Sequence, residues 1–310
     1  MGGPRMIRHL AVYTPRDPGF IKPGSEQHSQ MISPSKVAAI LGLSRWESPR
    51  SLWLRMRGDI PPQAPKDAFD IGHDVEPYAA NVWRRRNPGW LLSPGEVQFV
   101  VDPDHFGFPA LATLDRRRVR GRARGVLQIK LARDLTDLEK FGGDLSGDCP
   151  PDYFAQVLAE MLFTGWTDVP GHLLALGPYY TDRIFEIAYD LDAQTEAAAM
   201  IEECRVFYES LSSDTPPPLD SSVATYEAIR AQHPEIERDV EVELDPELAD
   251  EFLTATAGAK SAESSARLAK TRVLDAMKRA QYAKCGGALI ARRQPSSRGS
   301  VALYAAKGAK

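Results

Sequence analysis

Ala110-Leu111-Ala112-Thr113-Leu114-Asp115 and Val126-Leu127-Gln128-Ile129-Lys130-Leu131 are the two runs whose reading decides the fold. Successive strand side chains face opposite sides. Leu127, Ile129 and Leu131 therefore share one face, which the pattern assigns to the core, while Val126, Gln128 and Lys130 take the other. In the first run Leu111, Thr113 and Asp115 share a face, so pairing the two strands brings Asp115 to Gln128 and Lys130 at one sheet end. Between the runs lie Arg116, Arg117, Arg118, Arg120, Arg122 and Arg124 without an acid, read as an arginine-rich turn.

Upstream, Ser33-Pro34 reads as an N-cap and first helical residue, followed by Val37, Ile40 and Leu41 at helical spacing. A second helix is expected over Asp67–Arg86 with Glu76 on or beside its inward face; Pro77 should kink it or begin a new helix. Val97–Val101 reads as a further strand. Downstream, Pro150-Pro151 introduces a helix packing through Tyr153, Val157, Met161 and Leu162, with Gln156 just off that stripe. Strands near His172–Leu176 and Ile184–Tyr189 and a helix over Ala193–Leu211 follow, and Pro216-Pro217-Pro218 marks a boundary. Beyond it the pattern gives a helix near Tyr226, a longer one over Glu247–Lys284, and a hairpin over Ala288–Ala305 with its tip at Ser296–Gly299. The expected organisation is an N-terminal extension (1–30), an α/β core with a mixed central sheet flanked by helices (31–218) and a basic helical and hairpin extension (219–310).

Composition narrows the class. The chain has 310 residues, 43% hydrophobic and 26% charged, which suits a soluble globular protein with one sizeable domain and an appendage. No apolar run approaches the roughly 20 residues of a membrane span, and the start lacks a secretory pattern. Cys149, Cys204 and Cys285 show no CxxC spacing, which argues against zinc, iron–sulfur or disulfide frameworks. The net charge of −4 hides two basic stretches, the arginine run and the chain after Lys260, where the acids are Glu263 and Asp275.

The order helix, strand, strand, strand, helix, strand, with Asp115 and Gln128-x-Lys130, resembles the restriction-endonuclease-like core, whose signature is an Asp followed by (Asp or Glu)-x-Lys. The wider resemblance is to the phage lambda-exonuclease and YqaJ-type viral recombinase family. It is carried in order by Ile32–Ser44, Ser51-Leu52-Trp53-Leu54 to Gly58, Gly72–Pro77, Ala112–Asp115, Leu127–Lys130, Pro151-x-Tyr153-x-x-Gln156 and Pro216–Asp220.

That resemblance implies a magnesium-dependent nuclease, with manganese able to substitute, that resects linear duplex DNA 5′ to 3′. Two ions roughly 3.5–4 Å apart neutralise the phosphate and stabilise the leaving oxygen in such sites. The implied metal ligands are Asp115, Glu76, Gln128 and the Ile129 carbonyl. Lys130 would orient or deprotonate the attacking water, and Gln156 would bond near the scissile phosphate. Ser35, Thr113 and the arginines Arg116, Arg117 and Arg118 would contact the 5′-phosphate and DNA; His28 lies about where the family has an arginine. The implied partners are duplex ends, a phage single-strand annealing protein and further copies of the chain in a trimeric or tetrameric ring, in the cytoplasm of an infected bacterium. Gln128 departs from the family's glutamate. A unit-charge pair at 4 Å is worth about 4 kcal/mol at an effective dielectric near 20, so another acid compensates, with Asp74 and Asp134 nearest in sequence, or the enzyme is feeble. The alternatives are a DNA-end-binding scaffold with little hydrolysis and an endonuclease.

Overall fold

The computed structural model describes residues 7–62, 67–132, 137, 143–146, 148–213, 215–295 and 301–306. It divides into two compact units, Met1–Ile236 and Glu237–Lys310.

In the first unit β1 (His9–Tyr13) precedes α1 (Glu26–Ser29), α2 (Pro34–Ile40), α3 (Pro49–Arg57) and α4 (Asp67–Arg86). Then come β2 (Leu91–Leu92), β3 (Val97–Val101), α5 (Pro103–Phe106), β4 (Ala110–Leu114), β5 (Arg116–Arg120) and β6 (Ala123–Leu131). After α6 (Pro151–Thr164) follow β7 (Gly171–Leu176), β8 (Asp182–Ile187), α7 (Leu191–Ser210) and α8 (Val223–Gln232). The strands form an antiparallel sheet β1-β3-β4 and a mixed sheet β2-β5-β6-β7-β8. Only the β6–β7 pair of the mixed sheet is parallel, because α6 carries the chain back across it.

Local chemistry explains the helix ends. Ser48 and Ser51 cap α3 reciprocally, each hydroxyl taking the other's backbone N–H at 3.0 and 2.9 Å. Pro150-Pro151 opens α6, and Gly165 closes it at φ 72°, where a side chain would be strained. Pro77 neither breaks α4 nor starts a new helix. Ala79, Ala80 and Trp83 bury against Leu127, Ile129 and Leu174, which holds the helix through the lost hydrogen bond.

Several expectations change. The arginine run is not a turn: Arg116–Arg120 is strand β5, with Arg116 opposite Leu127, and the turn shrinks to Gly121 and Arg122. The polar face of β6 is not open either. Val126 packs with Val157 and Leu173 in the larger core cluster, on the side that α6 covers, while Leu127 and Ile129 meet α4 on the other. Finally, β1 pairs with β3 from within the stretch expected to lie outside the core. The α8 segment, placed beyond the Pro216–Pro218 boundary, belongs to the first unit: its Thr225 hydroxyl donates to Ser48 Oγ at 2.7 Å.

The second unit holds α9 (Pro246–Met277) and an antiparallel sheet of β9 (Tyr282–Cys285), β10 (Ala288–Pro295) and β11 (Val301–Ala305), with Met277 and Ala291 buried. The expected hairpin is β10–β11; its tip at Ser296–Gly299 lies outside the described residues. Among the described residues no helix is long and apolar enough to cross a membrane.

Candidate active site

Asp115 is the single residue between β4 and β5, where the chain leaves one sheet for the other. Its Oδ2 accepts the Ile129 backbone N–H at 2.7 Å, which fixes the carboxylate against β6. Burial pushes its pKa up to about 6; Lys130 opposes that rise and Glu76 adds to it.

On the α4 side of the sheet, Glu76 is ion-paired with Arg116, whose side chain is 4% exposed. Burial raises the Glu76 carboxyl despite that cation. His73 Nδ1 lies 3.8 Å from Glu76 Oε2. His73, Glu76 and Glu96 bring their ligand atoms within 4.8 Å of one another, a set that could hold a metal ion. Burial raises Glu96 as well, and Asp115 is the next cause.

On the α6 side, Gln128 is 4% exposed and its Oε1 has no hydrogen-bond partner. Lys130 Nζ lies 5.4 Å from the centre of the Tyr153 ring. Gln156 Nε2 donates to Glu160 Oε1 at 3.2 Å, and Glu160 is fully buried with Oε2 unpartnered. Burial first, then Asp115, drives the Glu160 carboxyl well above the usual range.

Asp115, Glu76, Gln128, Ile129, Lys130 and Gln156 thus gather around one sheet end, on both of its faces. The oxygen-rich donor set suits magnesium or manganese, which prefer carboxylate and amide oxygens. The buried, unpartnered oxygens of Gln128 and Glu160 fit a centre that takes a cation. Of the two acids considered as substitutes for the missing glutamate, Asp74 is exposed on α4 and Asp134 lies outside the described residues. Sequence reasoning missed Glu96, Glu160 and His73. The only advance signal for Glu160 is its place as a lone acid in the apolar run Phe154–Phe163.

The expected phosphate contacts divide. Ser35 is exposed on the first turn of α2, 3.1 Å from Ser33 Oγ. Thr113 Oγ1 accepts from Gln98 Nε2 at 3.0 Å, so its own hydrogen remains to donate. Arg117 is half-buried on the face of β5 opposite Arg116 and Arg118. Arg118 does not reach DNA: it is 1% exposed, donates to the Val126 and Pro170 carbonyls, and stacks on Trp83 and Trp90. Arg116 is engaged with Glu76 inside the site rather than facing outward. His28 does not replace the missing arginine, because burial holds its pKa down to about 4 and leaves it neutral. Lys36, one residue from Ser35, is itself occupied by the His28, Ser29 and Met31 carbonyls.

A mixed sheet flanked by α4 and α6, with Asp115 at the strand junction and Lys130 on the neighbouring strand, is a restriction-endonuclease-like core. Residues 25–167, which lie within the first unit, match the YqaJ-like viral recombinase domain. The chain is 23% identical over 276 residues to the uncharacterized protein YqaJ of Bacillus subtilis (strain 168), spanning 82% of this chain and 77% of that protein. Among solved structures it is similar to the alkaline exonuclease LHK-Exo from Laribacter hongkongensis, with TM-score 0.40 and 20% identity over 59% of this chain and 91% of that one. The same enzyme in complex with dAMP gives TM-score 0.44 and 16% identity, over 61% and 91%. These structural likenesses are distant and assign no role to any residue.

Proposed function

We propose that the first unit is a metal-dependent deoxyribonuclease that resects linear duplex DNA from its ends, 5′ to 3′, leaving 3′ tails for recombination by single-strand annealing. The observation that carries this is Asp115, fixed by the Ile129 N–H, in the company of Lys130 and three buried or half-buried carboxylates. So many acids converging at one sheet end are costly without a cation.

Asp115, Glu76, Gln128 and the Ile129 carbonyl would hold magnesium, which when bound supplies neutralisation of the phosphate and of the leaving oxygen. Lys130 positions the attacking water and offsets charge on a non-bridging oxygen. Gln156, tethered to Glu160, orients toward the phosphate from α6. Thr113 and Ser35 offer hydroxyl donors for a terminal phosphate. In this reading a single-strand annealing protein takes up the product strand, and a trimeric or tetrameric ring of chains keeps the duplex engaged.

The test is digestion of 5′-phosphorylated linear duplex beside nicked and closed circles, with and without magnesium. Mononucleotide release from the linear substrate alone is expected. Cleavage of closed circles would make it an endonuclease; tight end binding without products would make it a scaffold. Lys130→Ala is expected to lower the digestion rate by at least about a hundredfold with unchanged thermal unfolding. Digestion at the parent rate would show that the chemistry lies elsewhere.

A further inference from the structure

Gln128 leaves the centre one negative charge short of the usual Asp and Glu pair, yet the helix facing it carries an acid with no other task. On α6, Tyr153, Gln156 and Glu160 are three, four and seven residues apart and so share one face. That face meets the Lys130 side of β6: the Tyr153 ring lies beside Lys130 Nζ. Gln128 points to the same side by strand alternation. Glu160 is fully buried, one oxygen held by Gln156 and the other unpartnered; Gln128 Oε1 is likewise buried and unpartnered.

The other acids are differently occupied. Glu76, itself one of the proposed ligands, is already paired with Arg116, and Glu96 sits with His73. Among the described residues Glu160 forms no ion pair, and the charged groups that act on it are Asp115 and Lys130. A buried carboxyl oxygen without a donor is a costly arrangement that a divalent ion relieves.

We propose that Glu160, from α6, supplies to the metal centre the negative charge that Gln128 on β6 cannot. The carboxylate has moved from strand to helix while serving the same ion. This rests on the metal-dependent nuclease reading above. The competing account makes Glu160 a neutral buried acid that merely holds Gln156.

The experiment is calorimetric titration of the full chain with Mn²⁺ alone, comparing the parent, Glu160→Gln, Gln128→Glu and the double variant Gln128→Glu/Glu160→Gln, with thermal unfolding of each in EDTA. Losing even an outer partner of a metal ligand costs roughly 10–100-fold in affinity, so Glu160→Gln is expected to bind at least about tenfold more weakly. The double variant, which returns a carboxylate to β6, is expected within about threefold of the parent. Glu160→Gln should unfold in EDTA no earlier than the parent, since the amide keeps the shape of the carboxyl and an oxygen for Gln156. Parent-like Mn²⁺ binding by Glu160→Gln overturns the proposal, as does a double variant no tighter than Glu160→Gln, or an unfolding midpoint of Glu160→Gln well below the parent's. If the parent itself binds no Mn²⁺, the nuclease reading falls as well. If the parent binds and digests while Glu160→Gln binds equally, this proposal alone fails.

Discussion

Arg118 and Arg117 are neighbours in sequence with opposite expected fates on substitution. Arg118 satisfies two backbone carbonyls and stacks on Trp83 and Trp90, and burial lowers its pKa to about 9. Arg118→Ala strands those carbonyls and opens a cavity, so a stability loss of about 3 kcal/mol is expected by denaturant unfolding, with little change in DNA affinity of the folded protein. Arg117→Ala should do the reverse: unchanged unfolding, weaker binding, and a salt slope lower by about 1. A second residue-scale expectation concerns pH. Trp83 Nε1 donates to His172 Nδ1 at 3.0 Å, which puts the ring proton on Nε2, 3.5 Å from Glu186. Burial holds the His172 pKa down to about 3, whereas the unfolded histidine titrates near about 6.5. Between those values the unfolded chain takes up a proton that the folded chain refuses, so this histidine's contribution falls as pH drops from 6.5 toward 3. His172→Gln keeps an acceptor for the indole but cannot titrate. It should be less stable than the parent at pH 7 by about 1–2 kcal/mol, and the gap should close and then reverse as the pH falls toward about 4; a pH-independent gap in thermal unfolding would refute this.

The element that matters most is α6, because its seating on β6 and β7 sets where Gln156 and Glu160 stand. A Cβ at Gly171, on the first position of β7, would lie 2.6 Å from Val157 Cγ1 and 2.7 Å from Met161 Sδ. Gly171→Ala must therefore displace the Val157 and Met161 side chains that seat the helix, at a cost of about 1–3 kcal/mol, and Mn²⁺ affinity is expected to fall together with the unfolding midpoint. Equal affinity in the destabilised variant would show that the centre does not depend on this seating. Much of this architecture was legible beforehand: β4 and β6 through alternation, and α6 through its prolines and apolar stripe. The expected pairing of the two strands does not form: β4 pairs with β3 in one sheet and β6 with β5 in the other, and Asp115 reaches β6 only as the residue that links β4 to β5. What escaped has physical causes. An arginine strand reads as a solvated turn because no periodicity rule encodes guanidinium groups buried between tryptophans. Glu160 reads as an ordinary helix residue because only the fold buries it and brings it under the influence of Asp115 and Lys130. Glu96 sits just before a strand, where nothing local marks it, and only the fold carries it to Glu76 and His73.

At the scale of the whole chain the net charge of −4 conceals a strong separation along the sequence. From Lys260 to Lys310 there are twelve lysines and arginines against Glu263 and Asp275, and the long helix α9 exposes nearly all of its surface. The proposed metal centre, by contrast, draws only on residues of the first unit, whose core is complete by Ile236. Chemistry and non-specific DNA affinity should then be separable. Neutralising phosphates releases counter-ions, so binding to duplex should weaken linearly in log affinity against log salt, with a slope of about −0.9 for each phosphate contacted. A chain ending at Ile236 is expected to keep the Mn²⁺ affinity of the parent, because every proposed ligand is retained, while its salt slope becomes shallower by several phosphate contacts. Digestion should then become distributive, the shortened chain releasing its substrate between cuts. Should the shortened chain bind duplex with the parent's slope, the basic stretch takes no part in DNA binding, and the grip on the duplex must come from the first unit, where Arg117 is half-buried and Arg120 exposed.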